Sequence, residues 1–346
     1  MKYFSCPMIE SFFLNFNGRI DAGNKSLGLC CEPLNDKPSI EFSGDVKSML
    51  SQLIRMRDGI IEESRECAFG LLADRRHSAG CANCANYQEN QWTSDGLIHY
   101  VNLSMYPAPC QCKCIYCGIQ KDKEMMNAKT EDAKKSYEKL FEMLEYALEH
   151  GMIAPDAIWQ VSSGEISIHP YKDRIFELIK GRTAIFYTNC FIYDEQIAEN
   201  LHNNPNSAIN LSIDAGLPQT WYKVKGVDNF EQIMENLTKY FMATTRKGQI
   251  SLKYIVLPGI NDTYEDYQSL IEIMKTIQVP HLTISRDTTK KYDVHNKEFE
   301  ELIGASGYLL AMCHKNNISN DMFTFTPEER KMVIEFAKEL LKTGQV

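Results

Sequence analysis

The sequence predicts an α/β protein built on parallel strands, and three observations carry that prediction. Short apolar runs recur at 98–103, 157–161, 184–187, 208–213, 250–256 and 281–284. Stretches of helical period separate them. No run among them is joined to the next by a tight hairpin, and strand, helix, strand repeated in this way implies parallel pairing through right-handed crossovers. Six such strands satisfy either an open doubly wound sheet or a partial barrel, and pattern alone does not choose between the two.

The elements follow in order. Residues 12–16 and 27–31 have strand character, with Asn17-Gly18 as a turn signal between them. Val46, Leu50, Leu53 and Met56 place an apolar stripe on a helix over 45–65. From residue 66 to about 95 the chain is rich in Gly, Asn and Cys, and such a segment forms little core without help from metal. Beyond residue 97 the alternation begins. A helix starts at Thr130, a capping residue, carries Tyr137, Leu140, Phe141 and Leu144 on one face, and stops at Gly151. Another has Phe230, Ile233, Met234, Leu237 and Tyr240 on one side, and a third covers roughly 263–275. Two more helices end the chain. The last is signalled by Thr326 as cap, Pro327 at the first position and Glu329 completing a capping box.

The 346 residues carry a formal charge of −9, which argues against a general nucleic-acid or anionic-membrane surface, since both need basic patches. No stretch reaches the apolar length of a spanning helix, and the opening residues lack the pattern of a secretory signal, so the expected compartment is the cytoplasm. Thiols stay reduced there, which turns attention from disulfides to metal and catalysis. Ten of the twelve cysteines fall within the first 117 residues, and only Cys190 and Cys313 follow.

The segment Cys110-Gln-Cys-Lys-Cys114-Ile-Tyr-Cys117 directly follows the first parallel strand. A loop in that position is where barrel and open-sheet enzymes place their active sites. Thiolates are the ligands iron–sulfur clusters need, and CxxxCxxC in one short loop lets three sulfurs converge on one cluster. With no fourth cysteine at ferredoxin spacing, one iron keeps an open position for a small chelating ligand. Structural zinc shared between Cys81-x-x-Cys84 and Cys114-x-x-Cys117 is the competing reading, but the 29 residues between the pairs exceed the usual gap and Cys110 would stay idle. Cys112 is an extra thiol inside the motif.

At this point the sequence resembles the radical S-adenosylmethionine (SAM) superfamily, whose signature is CxxxCxxC with an aromatic residue, here Tyr116, before the last cysteine. The resemblance runs from residue 97 to about 290. It implies a partial (β/α)6 TIM-type barrel over 96–290, with a cysteine-rich region at 1–95 and a helical extension at 291–346. It also implies a [4Fe–4S] cluster on Cys110, Cys114 and Cys117, with SAM chelating the fourth iron. Reductive cleavage of SAM then gives a 5′-deoxyadenosyl radical that takes hydrogen from a substrate. Ser162-Ser163-Gly164-Glu165 after the second strand resembles the family's Gly-Gly-Glu segment at the SAM amino group, with Ser163 in place of the first glycine. Ser212 and Asp214 resemble the polar pair near the SAM ribose, and Lys253 or Arg286 is implied for the SAM carboxylate. An electron donor such as flavodoxin or ferredoxin is implied as partner. Cys190 stands where the family often has glycine, so it is either a hydrogen donor to a substrate radical or a small core residue.

The front cysteines resemble the auxiliary modules of the SPASM and twitch type, placed here before the barrel rather than after it. Cys6, Cys30, Cys81 and Cys84 are the expected ligands of a second iron–sulfur cluster or of zinc, with Cys31 and Cys67 as substitutes. Arg75-Arg76-His77 offers positive charge for a substrate phosphate or carboxylate, or is simply a solvated loop. These features imply hydrogen abstraction from a peptide or small metabolite. The alternatives are activation of a glycyl-radical partner, or a zinc-binding scaffold without redox chemistry.

Overall fold

A computed structural model describes residues 2–21, 26–30, 38–68 and 86–346. Cys31, Cys81, Cys84 and residues 75–77 lie outside the described residues. The chain divides into two compact units, one comprising residues 1–109 and 123–185, the other 110–122 and 186–346.

The first unit opens with β1 (Tyr3–Ser5), α1 (Pro7–Glu10), β2 (Phe13–Arg19), β3 (Leu27–Gly28) and β4 (Ser39–Ile40). After them come α2 (Val46–Ala68), β5 (Gln88–Asn90), β6 (Ile98–Tyr106), α3 (Glu131–Glu149), β7 (Ile153–Val161) and α4 (Lys172–Ile179). β1 and β5 pair antiparallel as a small ribbon. The main strands run in the order β4-β3-β2-β6-β7, with β2, β6 and β7 parallel. Phe13 to Phe16 and Leu27 are strand residues as the pattern predicts, and they pair antiparallel through Phe16 and Leu27. The turn expected at Asn17-Gly18 does not form. β2 continues through both residues to Arg19, because Asn17, Gly18 and Arg19 are matched with Ser104, Met105 and Tyr106 of β6. A full register against a long parallel neighbour outweighs a two-residue turn signal.

α2 buries Val46, Leu50 and Leu53, the stripe seen in the sequence. α3 begins where Thr130 accepts from the Ala133 N–H, and it stops just before Gly151, whose φ of +64° suits glycine. Tyr137, Leu140 and Phe141 of α3 are fully buried, as are Val101 and Leu103 of β6 and Trp159 of β7.

The chain passes to the second unit within β8 (Thr183–Tyr187). There follow α5 (Glu195–Asn203), β9 (Ala208–Ser212), α6 (Pro218–Lys225), α7 (Phe230–Ala243), β10 (Ile250–Val256) and α8 (Tyr264–Thr276). β11 (His281–Arg286), α9 (Lys297–Lys315), β12 (Ser319–Phe323) and α10 (Pro327–Thr343) complete it. β9, β10, β11 and β12 lie side by side, all parallel. The six apolar runs are therefore strands β6 to β11. β12 is an addition the pattern did not predict: its apolar residues are few, and its register against β11 comes from backbone pairing. α10 carries the full capping box at Thr326 and Glu329. Phe299, Ile303, Leu310 and Cys313 are buried on α9, where burial pushes the Cys313 thiol up to about 12.

Candidate functional site

Most candidate residues stand at or just beyond the C-terminal ends of their strands, whereas Lys253 lies in the middle of β10. In the first unit, β7 is followed by Ser163, Gly164 and Glu165, packed on the backbone that precedes the cysteines. The Glu165 N–H donates to the Pro109 carbonyl at 2.7 Å. Gly164 has φ +51°, and a Cβ there would stand 2.3 Å from the Pro109 oxygen. Only glycine allows that approach. Ser163 is buried and donates through its hydroxyl to the Leu103 carbonyl at 2.9 Å, so the residue that departs from the family's pattern has a partner of its own. Glu165 is fully buried, and its Oε1 accepts from the N–H and hydroxyl of Ser167.

Beneath this segment the Tyr171 N–H donates to His169 Nδ1 at 3.2 Å. That bond leaves the ring proton on Nε2, 3.0 Å from the Tyr137 oxygen, and Tyr137 donates in turn to the Pro107 carbonyl at 2.8 Å. Burial lowers the His169 pKa to about 4, so the ring is neutral.

In the second unit, Cys110, Cys114 and Cys117 are half-buried and Cys112 is buried. The Cys117 N–H donates to the Cys114 carbonyl at 3.0 Å, which curls the end of the motif. Hydrogen bonding from Cys112 holds the Cys114 thiol down to about 6, with the Lys225 charge acting in the same direction against burial. The Cys112 thiol is pushed up by its hydrogen bonds to Cys110 and Cys114 and by burial. Cys112 is thus a protonated donor to its neighbours, while Cys114 favours the thiolate. Asn189, after β8, donates its side-chain N–H to Cys110 Sγ at 3.6 Å and accepts from Gln111 at 3.3 Å.

Asp214 follows β9 with φ +49° and no exposed surface. Its Oδ2 accepts from Tyr116 and from the Lys225 ammonium, both at 2.5 Å, and its Oδ1 accepts from the Ile255 N–H at 2.6 Å. Asn261 donates to the Asp214 and Ile255 carbonyls and accepts from the Leu257 N–H. Ser212, half-buried at the end of β9, is opposite Lys253 in register. Burial lowers the Lys253 pKa, and its ammonium sits 5.1 Å from the centre of the Phe323 ring without an ion pair among the described residues. Arg286 is engaged otherwise: it donates to the Thr324 carbonyl at 2.9 Å and pairs with Glu329 at 3.3 Å. Cys190 is fully buried at φ +56°, and its carbonyl accepts from Asn236 at 3.0 Å.

The donor chemistry fits an iron–sulfur cluster: one loop bears three half-buried cysteines, one of them held toward the thiolate. Among the described residues no three His, Cys, Asp or Glu side chains are arranged to hold a single metal ion. A cluster asks for a different arrangement, since each cysteine binds its own iron. Cys6, Cys30 and Cys67 are half-buried. Cys6 occupies the N-cap position of the short helix α1 without a side-chain capping bond, and the Cys30 carbonyl accepts from Asn15 at 2.5 Å.

A sequence profile described as the radical SAM superfamily matches residues 109–301, more than half of the chain. The chain belongs to that superfamily, and its α/β fold is of the radical SAM type. The structure is similar to Streptococcus suis SuiB bound to the precursor peptide SuiA, at 13% identity and a TM-score of 0.50, covering 81% of this chain and 64% of that one. SuiB bound to S-adenosylmethionine gives 12% identity, 80% and 63% coverage and a TM-score of 0.49. A radical SAM methyltransferase from Sphaerobacter thermophilus gives 12%, 62% and 63%, and 0.42. The chain thus spans just under two thirds of the length of SuiB. No curated protein matches it by sequence.

Lys225 and Asn189 are the functional candidates that sequence reasoning missed. Lys225 precedes Gly226, which reads as an ordinary helix stop, and Asn189 was overshadowed by the neighbouring Cys190.

Proposed function

We propose that the chain is a radical SAM enzyme that holds a [4Fe–4S] cluster on Cys110, Cys114 and Cys117 and abstracts hydrogen from a peptide or small metabolite. The observation that carries this reading is one loop bearing three half-buried cysteines at CxxxCxxC spacing after a parallel strand, in a chain that belongs to the superfamily. When bound, the cluster and SAM supply one-electron cleavage of the sulfonium to methionine and a 5′-deoxyadenosyl radical.

The chain's own contribution is orientation. Ser163, Gly164 and Glu165 are assigned to the SAM amino group, and they pack closely on the backbone of Ala108 and Pro109. Of the ribose pair, Asp214 has both carboxylate oxygens engaged inside the protein, so Ser212 is the member that meets a hydroxyl directly. Lys253 is favoured over Arg286 for the SAM carboxylate, because Arg286 is paired with Glu329 while Lys253 makes no ion pair among the described residues and feels Asp214 only at longer range. Cys190 is read as packing, since its side chain is wholly enclosed.

A peptide is the preferred substrate class, on two grounds. SuiB is a structure bound to a precursor peptide, and the front cysteines resemble auxiliary-cluster modules. Cys6, Cys30, Cys81 and Cys84 are assigned to that second site, as a cluster or zinc. A flavodoxin or ferredoxin is the expected electron donor. Among the described residues no helix is long and apolar enough to cross a membrane.

The test is iron and sulfide analysis of anaerobic wild type and of the Cys110→Ala/Cys114→Ala/Cys117→Ala variant, with 5′-deoxyadenosine measured after reduction in the presence of SAM. Wild type is expected to be brown and to form the product. The variant is expected to lose product while keeping any metal at the front site. Colourless wild type with stoichiometric zinc would sink the reading and leave a scaffold.

A further inference from the structure

The loop that bears the three cysteines is gripped by one residue from two directions. Lys225 is the last residue of α6, and the final carbonyls of a helix have no partner within it. Here the loop supplies the partners: Lys113 N–H donates to the Lys225 carbonyl at 2.7 Å, and Ile115 N–H donates to the Val224 carbonyl at 3.0 Å. The residues between the cysteines therefore cap α6. The contact is tight, because a Cβ on Gly226 would stand 2.9 Å from the Lys113 Cβ.

The side chain of Lys225 returns to the same loop. Its ammonium donates to the Tyr116 oxygen at 2.7 Å and to Asp214 Oδ2 at 2.5 Å, while Tyr116 donates to that same oxygen. Lys225 is 2% exposed and Asp214 0%, so neither charge is screened by water. Burial opposes the charge on Lys225, but Asp214 and Cys114 outweigh it and the pKa is raised. A helix C-terminus carries partial negative charge and would repel thiolates. A cation on its last residue offsets that repulsion.

We propose that Lys225 is a positioning residue for the 110–117 loop, and that its charge, balanced by Asp214, sets the potential at which a cluster held there accepts an electron. The proposal rests on the radical SAM reading and deepens it. A buried ion pair that only stabilised the fold would also be lost on mutation, but it would not produce potential shifts of opposite sign. Net charge near a cluster does, because an added electron is favoured by a nearby cation and opposed by a nearby anion.

The experiment is an anaerobic redox titration followed by electron paramagnetic resonance. It uses the full chain after iron and sulfide quantification, on wild type, K225M, K225R, D214N and K225M/D214N. K225M is expected to lower the midpoint potential and D214N to raise it. The double variant should fall between them, near wild type, and K225R should stay near wild type because it keeps the charge. Removing one partner of a buried pair is costly to the fold. If one single variant does not fold, the other compared with the double gives the same sign: restoring Lys225 must raise the potential, and restoring Asp214 must lower it. Iron-loaded variants with unchanged potentials, or with both singles shifted the same way, overturn the role of Lys225. Wild type that takes up no iron overturns the radical SAM reading beneath it, which is a separate failure.

Discussion

Gly164→Ala tests how tightly the segment after β7 is packed on the backbone of Ala108 and Pro109. Gly164 has φ +51°, and an L-residue in that region costs ~1–2 kcal/mol. The new methyl would also stand 2.3 Å from the Pro109 oxygen and 2.9 Å from that of Ala108. Both oxygens belong to backbone, which cannot swing aside as a side chain would. The Pro109 carbonyl is tied to the Glu165 N–H, and the Ala108 N–H is tied to the Met125 carbonyl. Relieving the overlap requires a backbone shift of about 1 Å, and overpacking of that kind costs ~1–3 kcal/mol. With an unfolding entropy of ~2.1 cal/mol/K per residue over 346 residues, a total of about 3 kcal/mol corresponds to a melting point lower by roughly 4 °C. Ser163→Ala is the control. It removes a hydroxyl bonded to a buried carbonyl, costs ~1 kcal/mol, and moves no backbone. The assay is thermal unfolding by circular dichroism together with iron content after anaerobic reconstitution. Gly164→Ala should lose both stability and iron, while Ser163→Ala should lose a little stability and no iron. If the two variants melt together and load iron equally, the segment after β7 is not closely packed on Ala108 and Pro109.

Other consequences follow from single contacts. His169 has a pKa near 4 in the fold against 6.5 unfolded, so the unfolded chain takes up the proton first as pH falls. Stability is therefore fully present above pH 6.5 and drops below it, by about 2 kcal/mol at pH 5 from this group. Urea unfolding at pH 7 and pH 5 should show that slope, and His169→Gln should flatten it. Asn189→Ala removes an N–H donor to Cys110 sulfur, and such bonds raise cluster potentials, so a lower midpoint with unchanged iron is expected in a redox titration. Asp266, 1% exposed, accepts from the Gly216 and Leu217 N–H groups and from the Thr220 hydroxyl. Asp266→Ala strands those donors and should cost ~2–4 kcal/mol in chemical denaturation, with Asp266→Asn clearly milder. Cys190→Ala should retain SAM cleavage; loss of product with cleavage intact would instead assign its thiol to hydrogen donation.

The parallel strands were legible because each is a short apolar run between helices with readable caps, such as Thr130 for α3 and Thr326 with Glu329 for α10. The errors arose where backbone pairing outvoted local chemistry. Asn17-Gly18 is a strong turn signal for an isolated hairpin, but β2 has a second neighbour, β6, whose register continues to Tyr106. A partner some ninety residues away leaves no trace at residue 17. β12 was missed for the complementary reason, since an outer strand of alternating exposure has little apolar content to announce it.

At the site, the residues that can be found by spacing are those whose partners are close in sequence. Cys110, Cys114 and Cys117 form a local pattern, and Gly164 is marked by the glutamate that follows it. Lys225 has no such pattern. Its partners are eleven residues back at Asp214 and across the fold at Tyr116, and on the surface of a helix Lys-Gly reads as a solvated C-terminus. Its burial decides the matter: an exposed lysine at that position would be worth little, whereas an enclosed one must be paired or neutral. The pairing with Asp214 also changes what Asp214 can do. A carboxylate whose two oxygens already accept from an ammonium, a phenol and a backbone N–H has no simple vacancy for a ribose hydroxyl. The strand-end acid identified by resemblance is thus tied first to the cysteine loop through Tyr116 and Lys225, while its charge also acts on Lys253.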